Sequence, residues 1–214
     1  MRTIAMMPIK LNNERLPGKN TKMLGKKPLL QYELDNLKAT NLVNDLYVYC
    51  SSEDIKPFLP EGVTFLKRPE YLDLPTSNFT QFFDAFMREQ EADIYIMSHA
   101  TAPFITVETM KECITAVQSG KYDSAFCAQK IQTFLWKDGE PLNFNPANLP
   151  RTQDLQPIYK ETSGIYVFTN EVFKVHRRRI GNTPYIKCVS FKEAVDIDEP
   201  EDFKLAEMLL NLEF

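Results

Sequence analysis

Short unbroken apolar runs alternate along this chain with stripes of apolar residues at helical spacing. Thr3–Ile9 is nearly all apolar and predicts a buried strand. After a polar stretch, Pro28 suits the first turn of a helix running to about Lys38, with Leu29, Leu30, Leu34 and Leu37 on one face. Residues 46–50 predict a second strand, and Ser51-Ser52-Glu53-Asp54 behind it is a helix-start sequence. Residues 63–66 predict a third strand. A helix over 77–91, opened by Ser77, turns Phe79, Phe82, Phe83, Phe86 and Met87 inward. A fourth strand follows over 93–98. Thr106 caps a helix that stops at Gly120, and 123–128 is a fifth strand.

This order predicts one α/β domain over 1–214: a doubly wound, mostly parallel sheet with right-handed crossovers. Ligands of such sheets sit at the carboxyl ends of the strands, where strand order reverses. The loops 10–20, 51–54 and 99–105 should therefore face the crevice. The last third changes character. Lys137-Asp138-Gly139-Glu140 looks like a hairpin turn. Residues 144–160 are rich in proline and asparagine and have little periodicity, so an arm over 138–163 is expected, serving as a substrate lid or a dimer contact. Strands return at 165–168 and 185–190. A final helix from near Pro200 should pack Phe203, Leu205, Ala206, Leu209 and Leu210 back on the sheet.

At 214 residues the chain suits a single core. No stretch approaches the roughly 20 apolar residues of a membrane span, and the first residues lack a signal-peptide layout, so a cytoplasmic protein is expected. Cys50, Cys113, Cys127 and Cys188 are widely spaced, which argues against a disulfide framework or a zinc site. A formal charge of -4 argues against a general nucleic-acid binder. That mild figure hides an asymmetry. Residues 1–38 carry eight Lys/Arg against three acids, and residues 192–214 carry eight acids against two lysines.

A cationic loop for phosphates and carboxylates for a metal are the minimum equipment of phosphoryl transfer. In the basic loop, Lys10 and Lys19 can neutralise a triphosphate, and Asn12, Asn13 and Asn20 can supply amides. Neither a Walker A pattern nor Gly-x-Gly-x-x-Gly is present, and loop lysines are also ordinary solvated residues. At the other end, Asp196 and Asp198 share one face of an extended segment and can together hold Mg²⁺. Asp198 suits a helix N-cap equally well. Glu199, Glu201 and Asp202 complement the dipole of the helix they begin.

The loop Pro8-Ile9-Lys10-Leu11-Asn12-Asn13-Glu14-Arg15-Leu16-Pro17-Gly18-Lys19-Asn20 resembles the first signature of the cytidylyltransferases that activate nonulosonic acids, the CMP-sialic acid synthetase family. Further segments resemble the family in order: Leu66-Lys67-Arg68-Pro69, Ser98-His99-Ala100-Thr101-Ala102-Pro103, Arg151-Thr152-Gln153-Asp154-Leu155 with Gly164-Ile165-Tyr166, and Asp196-Ile197-Asp198-Glu199-Pro200-Glu201-Asp202. The resemblance implies a Rossmann-like nucleotidyltransferase fold. It implies Mg²⁺-dependent attack by the anomeric hydroxyl of a 2-keto sugar acid on the α-phosphate of CTP, releasing pyrophosphate. It places Lys10 and Lys19 on phosphate, Asn20 beside the nucleotide, and Ser51 and Arg68 near the cytidine. His99 falls where the family has a glutamine near the sugar.

Three positions depart from the pattern. Lys10 replaces an arginine and loses its bidentate fork. Asn13-Glu14 replaces Ser-Lys, so Glu14 must point away from a triphosphate or share in metal binding. Arg151 and Gln153 are candidates to hold the sugar carboxylate, for which a guanidinium fork is suited. The run His176-Arg177-Arg178-Arg179 reads as a solvated face or a dimer contact. A homodimer is expected. A sugar 1-phosphate acceptor, a nucleotide-sugar glycosyltransferase and a non-catalytic nucleotide-binding homologue are the alternatives.

Overall fold

A computed structural model describes residues 1–212, so Glu213, the last acid of the C-terminal excess, lies outside the described residues. The seven strands of the main sheet are β1 (Thr3–Ile9), β2 (Asp45–Cys50), β3 (Thr64–Lys67), β4 (Ile94–Ser98), β5 (Ser124–Ile131), β6 (Ile158–Thr169) and β7 (Pro184–Cys188). Their order is β7-β5-β6-β4-β1-β2-β3. β1 pairs in parallel with β2 and β4, while β6 runs antiparallel to both β4 and β5. From β1 the chain builds outward to β3 and then crosses back to β4 on the other side of β1. The expected switch point therefore lies between β1 and β4, and their carboxyl ends open on one crevice.

Strand alternation sorts the core onto two faces. Ala5, Met7 and Ile9 of β1 and Ile94 and Ile96 of β4 pack with α1 (Leu29–Ala39) and α3 (Val107–Gln118). Ile4, Met6, Tyr95 and Met97 face the other way, onto α2 (Phe79–Glu89) and α4 (Asn170–His176). Phe83 is central to that aromatic layer, with Tyr95, Phe168 and Phe173 rings within about 5 Å. The opening of α2 differs from expectation by one residue. Asn78, not Ser77, is the cap, in a reciprocal box with Gln81, because an Asn side chain accepts from the third helical amide while Gln reaches back.

Two expectations about the last third need correction. β6 begins at Ile158, so residues 158–163 of the expected arm belong to the main sheet. A register shift between Glu161 and Tyr166 interrupts its pairing with β5. The final helix α5 (Pro200–Leu210) packs away from the sheet. Phe203, Ala206 and Leu209 form a separate cluster with Val195, Ile197, Leu24 and Leu29, while Leu205 is exposed. Leu24 belongs to a short ribbon, Met23–Leu24 against Lys27–Pro28, that follows the basic loop. At its turn Gly25 has φ +61°, and a Cβ there would meet Leu210 Cδ2 at 2.4 Å. Each Leu, Ile, Val or Phe side chain buried in this cluster contributes about 1.5–3 kcal/mol. Hydrophobic packing thus brings the acidic end of the chain to the basic loop.

Candidate active site

The basic loop is organised by its own side chains. Asn20, buried, donates from Nδ2 to the Lys10 carbonyl at 2.8 Å and closes the loop on itself. Lys19 is 7 % exposed and reaches across to the acidic segment. Its Nζ donates to the carbonyl of Ile197 at 2.7 Å and to Asp198 Oδ1 at 3.1 Å. Arg15 meets the same Asp198 oxygen at 3.1 Å and Glu199 at 3.1 Å. The two oppositely charged halves are therefore joined side chain to side chain.

Asp198 is not the helix cap. That place falls to Glu199, and Asp202 Oδ2 accepts the amides of both Asp198 and Glu199 at 2.9 and 2.8 Å. The Asp198 carboxylate is thereby left to face the lysine and arginine. Asp196 has a different partner. One of its oxygens accepts the Ser163 hydroxyl, and the other, Oδ1, is buried without a hydrogen-bond partner among the described residues.

Three cavities lie side by side along the crevice and share lining residues. The largest, about 510 Å³, is lined by Lys10, Asn12, Asn13, Glu14, Arg15, Lys19 and Asp198. Glu14 thus lines the cavity from an exposed position. A second, about 280 Å³, shares Lys10 and adds Arg68, Phe79, Phe82, His99 and Arg179. A third, about 390 Å³, shares Asn12 and adds Ser51, Glu53 and Lys67.

Arg68 is 2 % exposed, donates to the Ile9 carbonyl at 2.9 Å and pairs with Asp73. Asp73 also accepts the Ser51 hydroxyl, and its backbone carbonyl accepts Lys10 Nζ at 2.7 Å. Asp73 is the residue that sequence reasoning missed here. The available signal was a carboxylate five residues beyond an arginine at a strand end, since a buried arginine requires a partner.

His99 Nδ1 lies 2.6 Å from the carbonyl of Ser163, which can only accept, so Nδ1 carries the proton. Burial, aided by the charge of Arg179, outweighs the Ser163 contact and holds the His99 pKa below its ordinary value. The neutral ring then offers Nε2 as an acceptor. Arg151 and Gln153 line none of the three cavities. Arg151 is exposed, and its guanidinium is engaged by Asp154 at 2.8 and 3.0 Å. Of the basic run, Arg179 is the member that reaches the site, and nothing in the run's sequence singled it out.

Among the described residues no group of three or more His, Cys, Asp or Glu side chains is placed to hold a metal alone, and no helix is long and apolar enough to cross a membrane. Compared with known proteins, residues 4–214 match the cytidylyltransferase family. The chain is 28% identical over 202 residues to N-acylneuraminate cytidylyltransferase A of Danio rerio, covering 90% of this chain and 47% of that protein. It is 26% identical over 228 residues to CMP-N,N'-diacetyllegionaminic acid synthase of Legionella pneumophila, covering 99% and 97%. The chain thus spans about half of the first relative and nearly all of the second. Its fold matches that of a CMP:2-keto-3-deoxy-manno-octonic acid synthetase solved with CTP, with a TM-score of 0.72 at 14% identity, covering 98% of each chain. The Lys10–Asn20 loop, the switch-point crevice and the family match agree: this chain belongs to the cytidylyltransferases, a family of nucleotidyl-transferring enzymes.

Proposed function

We propose that this chain transfers CMP from CTP to the anomeric hydroxyl of a nonulosonic, sialic-acid-like 2-keto sugar acid and releases pyrophosphate. The observation that carries this reading is Lys19, which spans from the basic loop to Asp198 at one end of the crevice. The largest cavity offers Lys10, Arg15 and Lys19 to a triphosphate, beside the carboxylates Glu14, Asp73 and Asp198. Arg68 and Ser51, both fixed by Asp73, flank the cytidine: Ser51 walls the 390 Å³ cavity suited to it, and Arg68 walls the 280 Å³ cavity beside it, which is left to the acceptor. The acceptor hydroxyl oxygen bonds to the α-phosphorus and gives up its proton to water as the bond to the pyrophosphate oxygen breaks. His99 Nε2 is a neutral acceptor available to a sugar hydroxyl in the same crevice.

The residues present fit Mg²⁺. Asp196 keeps a buried oxygen without a partner, and Asp198 sits two residues on. Two carboxylates rather than a full cage suit an ion that retains waters and takes phosphate oxygens. When bound, Mg²⁺ supplies neutralisation of the charge that develops on the phosphates. A homodimer and a cytoplasmic location, where CTP is made and used, belong to the same proposal. Pyrophosphate release from CTP with Mg²⁺ and a panel of sialic, legionaminic, pseudaminic and 3-deoxy-octulosonic acids tests it. Turnover with a nonulosonic acid supports the reading. Turnover with the octulosonic acid alone, with a sugar 1-phosphate alone, or with none of them, refutes it.

A further inference from the structure

We propose that Arg179 is a specificity-determining residue, holding the carboxylate of the acceptor in the 280 Å³ cavity. This rests on the reading above that the acceptor is a sugar acid. Among the described residues, three cationic side chains line that cavity (Lys10, Arg68 and Arg179) and no carboxylate does. Two of the three are committed. Arg68 holds the Ile9 carbonyl and Asp73, and Lys10, which donates to the Asp73 carbonyl at 2.7 Å, is assigned above to the triphosphate. Arg179 lies over the Tyr166 ring, 3.6 Å from its centroid, and meets Glu161 through one guanidinium nitrogen at 3.2 Å. A guanidinium carries five N–H donors in a planar fork, so Arg179 keeps donors for a second carboxylate.

The loop that carries Arg179 is held on both sides. Before it, Arg177 ends α4 at φ +57°, pairs with Asp84 and lies over Phe173 at 4.5 Å. After it, Asp123 accepts the amides of Asn182 and Thr183 at 2.7 and 3.0 Å, and the Gly181 amide donates to Ser124 Oγ at 2.8 Å. A Cβ on Gly181 would meet the Asp123 carboxylate at 2.3 Å, so this approach requires glycine. The three neighbouring arginines are thereby sent to three different places: α2, Asn182 and the cavity. His99 packs edge-on against the same Tyr166, at 5.9 Å between centroids, which sets Arg179 beside the acceptor group already identified. A fork fixed before binding loses little freedom when it captures a carboxylate. Arg151, whose fork is engaged by Asp154, lacks that advantage.

Steady-state kinetics of Arg179→Met, Arg179→Lys and Arg178→Met test the proposal. Loss of a charge-assisted pair predicts a rise of roughly 10- to 100-fold in KM for the sugar acid in Arg179→Met. KM for CTP should stay within about twofold of wild type on the same reasoning. Arg179→Lys should recover part of the loss, and Arg178→Met, which removes the same charge outside the cavity, should leave both KM values unchanged. Calorimetric binding of the same sugar acids beside an α,β-methylene CTP analogue needs no turnover. Binding to wild type and loss in Arg179→Met supports the assignment even if no acid is turned over, in which case only the proposed reaction fails. Equal binding or equal KM in wild type and Arg179→Met overturns it. So does weakening by Arg151→Met in its place, or wild type binding none of the acids.

Discussion

Lys19→Met isolates the joint between the two charged halves while keeping the length of the buried stem. It removes the donor to the Ile197 carbonyl, 2.7 Å away and belonging to a fully buried residue. A buried carbonyl left without its partner costs about 1–3 kcal/mol. It also removes the ion pair with Asp198, whose side chain is 44 % exposed and keeps Arg15 as a partner, so this part adds only about 0.5 kcal/mol. The sum is about 2.5 kcal/mol, or a fall in Tm of about 5–10 °C for a chain of this size. In a double-mutant cycle with Asp198→Asn, direct contact predicts a coupling of about 0.5–1 kcal/mol in urea-unfolding free energy. Additivity within about 0.3 kcal/mol, or a Lys19→Met cost under about 0.5 kcal/mol, would refute the claim that Lys19 fastens the two segments.

Further outcomes are expected elsewhere in the molecule. Glu33 is fully buried on α1, accepts the Ser98 hydroxyl at 2.5 Å, and burial pushes its pKa well above the ordinary carboxylate range. The folded protein therefore holds a proton that the unfolded chain has released, and stability falls as pH rises through that window. Glu33→Gln should flatten this slope and unfold at a higher temperature than wild type near about pH 8; an unchanged slope in calorimetry contradicts the assignment. Asp198→Asn should abolish turnover with far-UV circular dichroism unchanged, and chelation of divalent ions should stop the wild type until Mg²⁺ is restored. Near-normal rates in either experiment count against the metal role. Leu149 of the arm is 62 % exposed, and Leu149→Ser should shift a dimer toward monomer in sedimentation equilibrium; an unaltered mass removes the arm from the interface.

The elements legible in the sequence are those whose side chains are buried on a regular period. β1 occupies Thr3–Ile9 as its unbroken apolar run predicts, and α1 buries Leu29, Leu30, Leu34 and Leu37. β6 was half legible. Ile165, Val167 and Phe168 are fully buried, whereas Tyr159, Lys160 and Glu161 are exposed and pair with an equally unpatterned stretch of β5, leaving no periodic signal. The packing of α5 was misread because its apolar stripe states that something is covered, not what covers it.

The site divides in the same way. Lys10, Lys19, Asn20 and Asp198 lie in compact local motifs, and the structure assembles them. Asp73, Ser163 and Arg179 act through partners 22, 33 and 18 residues away, at Ser51, Asp196 and Glu161. Such contacts are made by chain crossovers and carry no local signature.

The most direct test of the account follows the α-phosphorus. Wild-type protein given CTP labelled at the α-phosphate, Mg²⁺ and the panel of 2-keto sugar acids should move the label into a CMP-linked sugar, with unlabelled pyrophosphate released in equal amount. Label that stays in CTP, or appears as free CMP, across the whole panel would contradict the account.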